Sequence, residues 1–218
     1  MYEGLERISA ETKPANLEEA LLVIDALRQE NIRLKHNAKY DSKTGLYSYG
    51  YFEEHCQPYL EEVINKYRSL DENLKQLHYL HLVVIADLNN LKQINETIGY
   101  KAGDDAIKKV AESLKDSLRS NDLIIRVNKA GDEFMAIIST KANANNIDLT
   151  ASLIASRIRT NLISDSKGLL SVAVGYSVLE DSTDFANSRI NAEKSMQEDK
   201  ILQKRAQEEN ETSFINFF

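Results

Sequence analysis

The chain has 218 residues, 42% of them apolar and 28% charged, with a formal net charge of −7. This excludes a disordered chain and allows one domain with a real core plus an appendage. The acidic balance argues against broad nucleic-acid binding, which needs a basic footprint, but not against a single nucleotide held by a metal and a few lysines. Cys56 is the only cysteine, so an intramolecular disulfide is impossible and a reducing compartment is expected. The N-terminus has no apolar core of the signal-peptide kind, and no apolar run approaches the ~20 residues of a membrane span. The expected setting is cytoplasmic, with no membrane in this chain.

Residues 1–15 are polar, contain Pro14 and read as a flexible lead-in. Residues 16–39 read as a helix. Leu17, Ala20, Ile24, Leu27, Asn31, Leu34 and Ala38 follow the alternating three-and-four spacing of a heptad seam, with a polar Asn31 of the kind that fixes register. Two readings stand: a dimeric coiled coil, or an amphipathic helix packed on its own domain. A turn at Ser42–Gly45 leads into a helix over about 48–67. HLVVIAD, 81–87, is apolar and β-branched, and reads as a buried strand ending at Asp87. A short helix covers Leu91–Thr97, and a longer one follows Gly99 with Ile107, Val110, Leu114 and Leu118 on one face. Residues 122–127 and 134–139 form a hairpin. A helix over 146–163 is expected to turn Leu149, Leu153, Ile158 and Leu162 inward. A strand over 169–179, a last helix over 183–205 and a tail over 206–218 complete the chain. The alternation predicts an α+β fold, a mainly antiparallel central sheet flanked by helices.

Asp87 ends one strand, and Asp132 and Glu133 begin another. If those strands are neighbours, three carboxylates converge at one sheet end. Hard oxygen ligands of that kind suit Mg²⁺, with coordination positions left for substrate phosphates. The alternative is a capped loop and solvated turn charges. DLNNLKQINETI is no EF-hand, since Lys92 and Ile98 stand where Gly and Glu are required, and no Walker A sequence occurs.

Five stretches together resemble the GGDEF domain of the diguanylate cyclase family, over residues 40–205. DSKTGLYSYGYFEEH resembles DxLTGLxNRRxFxE, and IADLNNLKQINETIGYKAGDDAIKKVA resembles DxDxFKxxNDxxGHxxGDxxLxxxA. RVNKAGDEF resembles RxGGDEF, LSVAVGYS resembles TxSxGxA, and AEKSMQEDK resembles ADxAMYxAK. The resemblance implies a fold like the nucleotide-cyclase and polymerase palm. It implies condensation of two GTP into cyclic di-GMP and two pyrophosphates, with Mg²⁺ (or Mn²⁺), between two half-sites of a homodimer joined through the N-terminal helix. The alternative is an inactive GGDEF domain that binds GTP or cyclic di-GMP as a signalling module.

By position, the resemblance makes Asp87, the Leu88 carbonyl, Asp132 and Glu133 the metal ligands, with Asp132 and Glu133 as the catalytic acids. Asn95 and Asp104 become guanine readers, Asp104 also being a charge favoured at a helix N-terminus. Lys92, Lys200 and Lys204 become phosphate contacts, beside the signature backbone at Ala130 and Gly131. RSND resembles the RxxD product-inhibition site and assigns it to Arg119 and Asp122. The departures are Ala130 for the first signature glycine, two extra residues between Arg126 and the signature, and Asn89 for the second acid of DxD. Tyr100 replaces His, Ser48-Tyr49 replace Asn-Arg, and KRAQEEN stands in place of a GRN ending.

Overall fold

The computed structural model describes residues 16–71, 78–128, 131–142 and 146–217. The lead-in 1–15 and Ala130 lie outside the described residues. The chain divides into two compact units, residues 1–38 and 39–218.

Helix α1, Leu17–Lys39, buries none of its residues. Leu17, Leu27 and Leu34 of the heptad seam are among its exposed side chains.

The second unit opens with a turn fixed by Asp41, whose carboxylate accepts from the Thr44 N–H and hydroxyl at 2.9 and 2.7 Å. Gly45 closes it at φ 65°, a conformation that costs glycine little. The turn delivers a two-residue strand β1, Tyr47–Ser48, and helix α2, Tyr49–Asp71. Then come strand β2, His78–Leu88, helix α3, Leu91–Thr97, and helix α4, Tyr100–Ser117. Strands β3, Leu123–Arg126, and β4, Glu133–Ala142, form the expected hairpin. Helix α5, Ile147–Asp165, strand β5, Val172–Val178, and helix α6, Phe185–Phe217, complete the order. The last helix runs on through the segment read from sequence as a tail. AQEENET is rich in helix formers and has no Gly or Pro to stop it.

The five strands stand in the order β1-β3-β4-β2-β5, antiparallel except where β1 meets β3. This is the α+β, mainly antiparallel architecture expected. The sheet has a core on each face, because successive strand residues point to opposite sides. Leu82, Val84, Ala86 and Leu88 pack with α3, α4 and α5. Val83 and Ile85 pack with Phe52 and Leu60 of α2 and with Ala192 and Met196 of α6.

One helix face differs from expectation. Leu149 and Leu153 are 58% and 61% exposed. The buried stripe of α5 is Ala151, Ile154, Ala155, Ile158 and Leu162, which has the three-and-four spacing of a core face. Small alanines on that stripe allow close approach to the sheet, while Leu149 and Leu153 fall outside it and Ile158 and Leu162 are buried as expected.

Candidate active site

The strand register sets the site. Asp87, at the end of β2, is the direct partner of Glu133, at the start of β4. Residues opposite each other in an antiparallel pair share a face, so both carboxyls lie on the α6 side of the sheet. Asp132 immediately precedes Glu133, and its carbonyl accepts from the Leu88 N–H at 3.1 Å. Burial pushes the Asp87 carboxyl above its ordinary value; Lys200 pulls it back, and the charge of Asp132 pushes it further up. Glu133 is also raised, by burial first and then by the charges of Asp87, Glu193 and Asp132, with Arg189 opposing. Three acids thus crowd one sheet end.

The crowding is partly relieved by a cation. Lys200 of α6 places Nζ 2.5 Å from Asp87 Oδ1, with the Asp87 side chain only 8% exposed. Among the described residues no group of three or more His, Cys, Asp or Glu is placed to hold a metal ion, so any cation here rests on fewer carboxylates, with backbone and substrate oxygens completing its shell. The donor set fits Mg²⁺, which takes one or two carboxylates and leaves the rest of its shell to water and phosphate. The Lys200 ammonium already shows that this end of the sheet accepts positive charge.

A second group of residues lies at the junction of α3 and α4. A Cβ built on Gly103 would stand 1.9 Å from Asn95 Oδ1. Only glycine there lets the Asn95 amide sit against the start of α4, next to Asp104. Asp104 is ion-paired with Lys43 of the opening turn. Lys92 is exposed on α3 and pairs with Glu96 at 3.8 Å. Lys204 is exposed one helical turn beyond Lys200.

Gly131 ends a turn closed by its N–H on the Asn128 carbonyl at 3.2 Å. Its own carbonyl accepts from Arg126 Nη2 at 3.1 Å, while Arg126 Nη1 pairs with Asp41 at 3.0 Å. The buried Arg126 therefore ties the opening turn to the signature turn. Sequence reading quoted both motifs without joining them. The missed signal was the acid that opens one motif and the Arg at the end of an apolar strand in the other.

Two further sets were missed. Asn89 Nδ2 donates to Gln203 Oε1 at 2.9 Å and to Ser171 Oγ at 3.0 Å. Gln203 Nε2 donates to Asp199 Oδ2 at 2.8 Å and to the Val172 carbonyl at 3.0 Å. Asp199 also accepts from the Val174 N–H and from Arg159. These bonds flank Lys200 and fix its helix against β5. Higher on α6, the Arg189 guanidinium stacks 5.0 Å from the centroid of the Tyr49 ring.

Arg119 and Asp122 lie elsewhere, in the turn before β3, whose first residue pairs with Ile137 rather than with the site end of β4. The Asp122 carboxylate accepts from the Arg119 N–H at 2.8 Å, so it caps its own turn. Burial raises the Asp122 carboxyl, and the N–H groups of Arg119 and Ser139 oppose the rise. Arg119 is exposed beside a groove of about 210 Å³ that Tyr40, Tyr47 and Lys115 also line.

Comparison with known proteins agrees with this layout. The family model described as diguanylate cyclase, GGDEF domain, matches residues 38–206. Diguanylate cyclase DosC of Escherichia coli is 33% identical over 106 residues, 47% of this chain and 22% of that protein. Diguanylate cyclase TpbB of Pseudomonas aeruginosa is 29% identical over 160 residues, 72% of this chain and 34% of that protein. The chain thus spans about a third or less of the curated relatives it matches. Among solved structures, the coiled coil and GGDEF domain of DgcB from Caulobacter crescentus, in complex with c-di-GMP, superposes with a TM-score of 0.62 at 18% identity. That match covers 84% of this chain and 92% of the other. With the family matched across most of its length and the fold shared, this chain belongs to the GGDEF domain family.

Proposed function

We propose that the chain is a diguanylate cyclase domain, which condenses two GTP into cyclic di-GMP and two pyrophosphates at the interface of a homodimer. The observation that carries this reading is the register pairing of Asp87 with Glu133, with Asp132 beside them and Lys200 on Asp87. Asp87, Asp132 and Glu133, with the Leu88 carbonyl, would hold Mg²⁺ or Mn²⁺. When bound, the cation neutralises the triphosphate and favours loss of a proton from the attacking 3′-hydroxyl.

The chain's own groups do the rest. Asn95 and Asp104 hold the guanine edge. Lys200 shifts its ammonium from Asp87 to the phosphates when nucleotide arrives, and Lys92 and Lys204 add charge on the outside. Glu133 assists in holding the cation or takes the proton of the 3′-hydroxyl. The signature turn at Gly131, braced by Arg126, supports the phosphates, and Ala130 is expected beside it. Each chain supplies one half-site, and α1 is expected to bring two chains together through its exposed seam. Arg119 and Asp122 are assigned to product binding, with the Asp122 carboxylate leaving the Arg119 N–H to accept from the ligand.

Pyrophosphate release from GTP tests the reading. It is expected with Mg²⁺, abolished by chelation, and reduced at least 100-fold by Asp132→Ala. Absence of release together with GTP binding would instead make the domain a nucleotide-binding signalling module.

A further inference from the structure

The opening turn holds a side chain that the family pattern does not account for. Where DxLTGL has leucine, this chain has Lys43. Its ammonium is ion-paired with Asp104 Oδ1, across 61 residues of sequence. The two side chains are 30% and 46% exposed. An ion pair so open to water contributes little to stability, so fold stability is a poor reason for it. Its place is more telling, since Asp104 follows Gly103, against which Asn95 is seated.

We propose that Lys43 is a base-reading residue of the purine pocket, its ammonium donating to the 6-oxo group of the base while Asp104 accepts from N1–H. The inference rests on the nucleotide reading above and narrows it. A 6-oxopurine presents an acceptor at O6 next to a donor at N1. The Lys43–Asp104 pair presents a donor next to an acceptor, in the matching order. Adenine presents a donor at N6 and an acceptor at N1, so both of its groups meet the wrong partner. A lysine ammonium has three donors and no acceptor, so it can hold Asp104 and the oxo group together. A leucine at this position offers only apolar contact.

The pair also redistributes what the carboxylate reads. Oδ1 already accepts from Lys43, which leaves Oδ2 as the readier acceptor for N1–H. The exocyclic 2-amine of guanine then matters less than O6. Inosine nucleotides, which keep O6 and N1–H and lack the 2-amine, should bind within a few-fold of guanosine nucleotides.

The test is calorimetric binding of the α,β-methylene triphosphates of guanosine, inosine and adenosine, which cannot lose pyrophosphate. The proteins are the full chain, Lys43→Leu and Lys43→Met, each first shown to melt like the parent. Loss of about tenfold in affinity for both 6-oxopurine analogues, with no gain for the adenosine analogue, is the expected result for both variants; it is what one charge-assisted hydrogen bond is worth. Unchanged or tighter guanosine binding in the variants would overturn the inference, because Lys43 would then merely occupy Asp104. That outcome leaves the nucleotide reading intact. A parent chain that binds none of the three analogues removes both.

Discussion

At the residue scale, the most consequential contact away from the acids is the Asp41–Arg126 pair, with side chains 5% and 1% exposed. A buried pair contributes little over apolar packing, but removing one partner strands the other. Asp41→Ala is expected to cost about 3–5 kcal/mol, read as a melting temperature lower by about 10 °C for a domain of this size. The pH dependence follows from the same carboxyl. Burial pushes Asp41 up, but bonds from Thr44 and Arg126 outweigh it and hold the group below the usual aspartate range. A depressed carboxyl gives stability that is present above its unfolded pKa and lost as pH falls through the folded one. The gap in melting temperature between the parent and Asp41→Asn should therefore be widest near neutral pH and close in acid. Gly103 offers a second check. Gly103→Ala drives a methyl into the Asn95 amide, so nucleotide affinity should fall about tenfold or more with a smaller change in melting temperature. The acids, Asn95 and Asp104 were legible as motif positions. The contacts of Lys43 and Arg126 were not legible, because their partners lie 61 and 85 residues away and only the fold brings them together.

At the element scale, α6 is the part that carries function into the sheet. Glycine at 175 lets it pack close: a Cβ there would stand 2.0 Å from the Met196 backbone N and 2.3 Å from the Ala192 carbonyl. Gly175→Ala must move helix backbone, which costs about 1–3 kcal/mol as overpacking does. It should also raise the KM for GTP, since Lys200 moves with the helix. The bonds among Asn89, Asp199 and Gln203 hold the same helix to β5 further toward its C-terminus. Here two departures from the quoted family motifs meet through Gln203: Asn for Asp at 89 and Asp for Ala at 199. Gln203→Ala is expected to raise the KM for GTP several-fold with a smaller effect on kcat, because it loosens a phosphate contact rather than the reacting groups. Strong periodicity made α4 and the strands readable from sequence. On α5 it placed Ile158 and Leu162 correctly but turned Leu149 and Leu153 inward, where Ala151, Ile154 and Ala155 instead make the packed face. The two-residue β1 went unseen because so short an element carries no pattern; its pairing with β3, and the bridge of Tyr47 to Tyr40, define it.

At the scale of the whole molecule, the proposed condensation needs two chains. The exposed seam of α1, with Leu27 at 64% and Leu34 at 54%, is a surface that a second copy would cover. Leu27→Glu should shift sedimentation toward the monomer and make pyrophosphate release per chain depend steeply on protein concentration. No helix among the described residues is long and apolar enough to cross a membrane. The palm-like fold and the acid cluster were legible together because five motifs hold their order along the chain. The association of two chains was legible only as a heptad pattern, which one chain by itself cannot complete.

In the proposed function these acids, with the purine pocket and the α6 lysine, perform the condensation. The most direct measurement is the mass of the nucleotide formed from GTP and Mg²⁺ by the purified chain, set beside Glu133→Gln. Cyclic di-GMP from the parent, with loss of at least 100-fold in the variant, is the predicted result. Recovery of GTP alone from the parent, at protein concentrations where sedimentation shows the dimer, would contradict it.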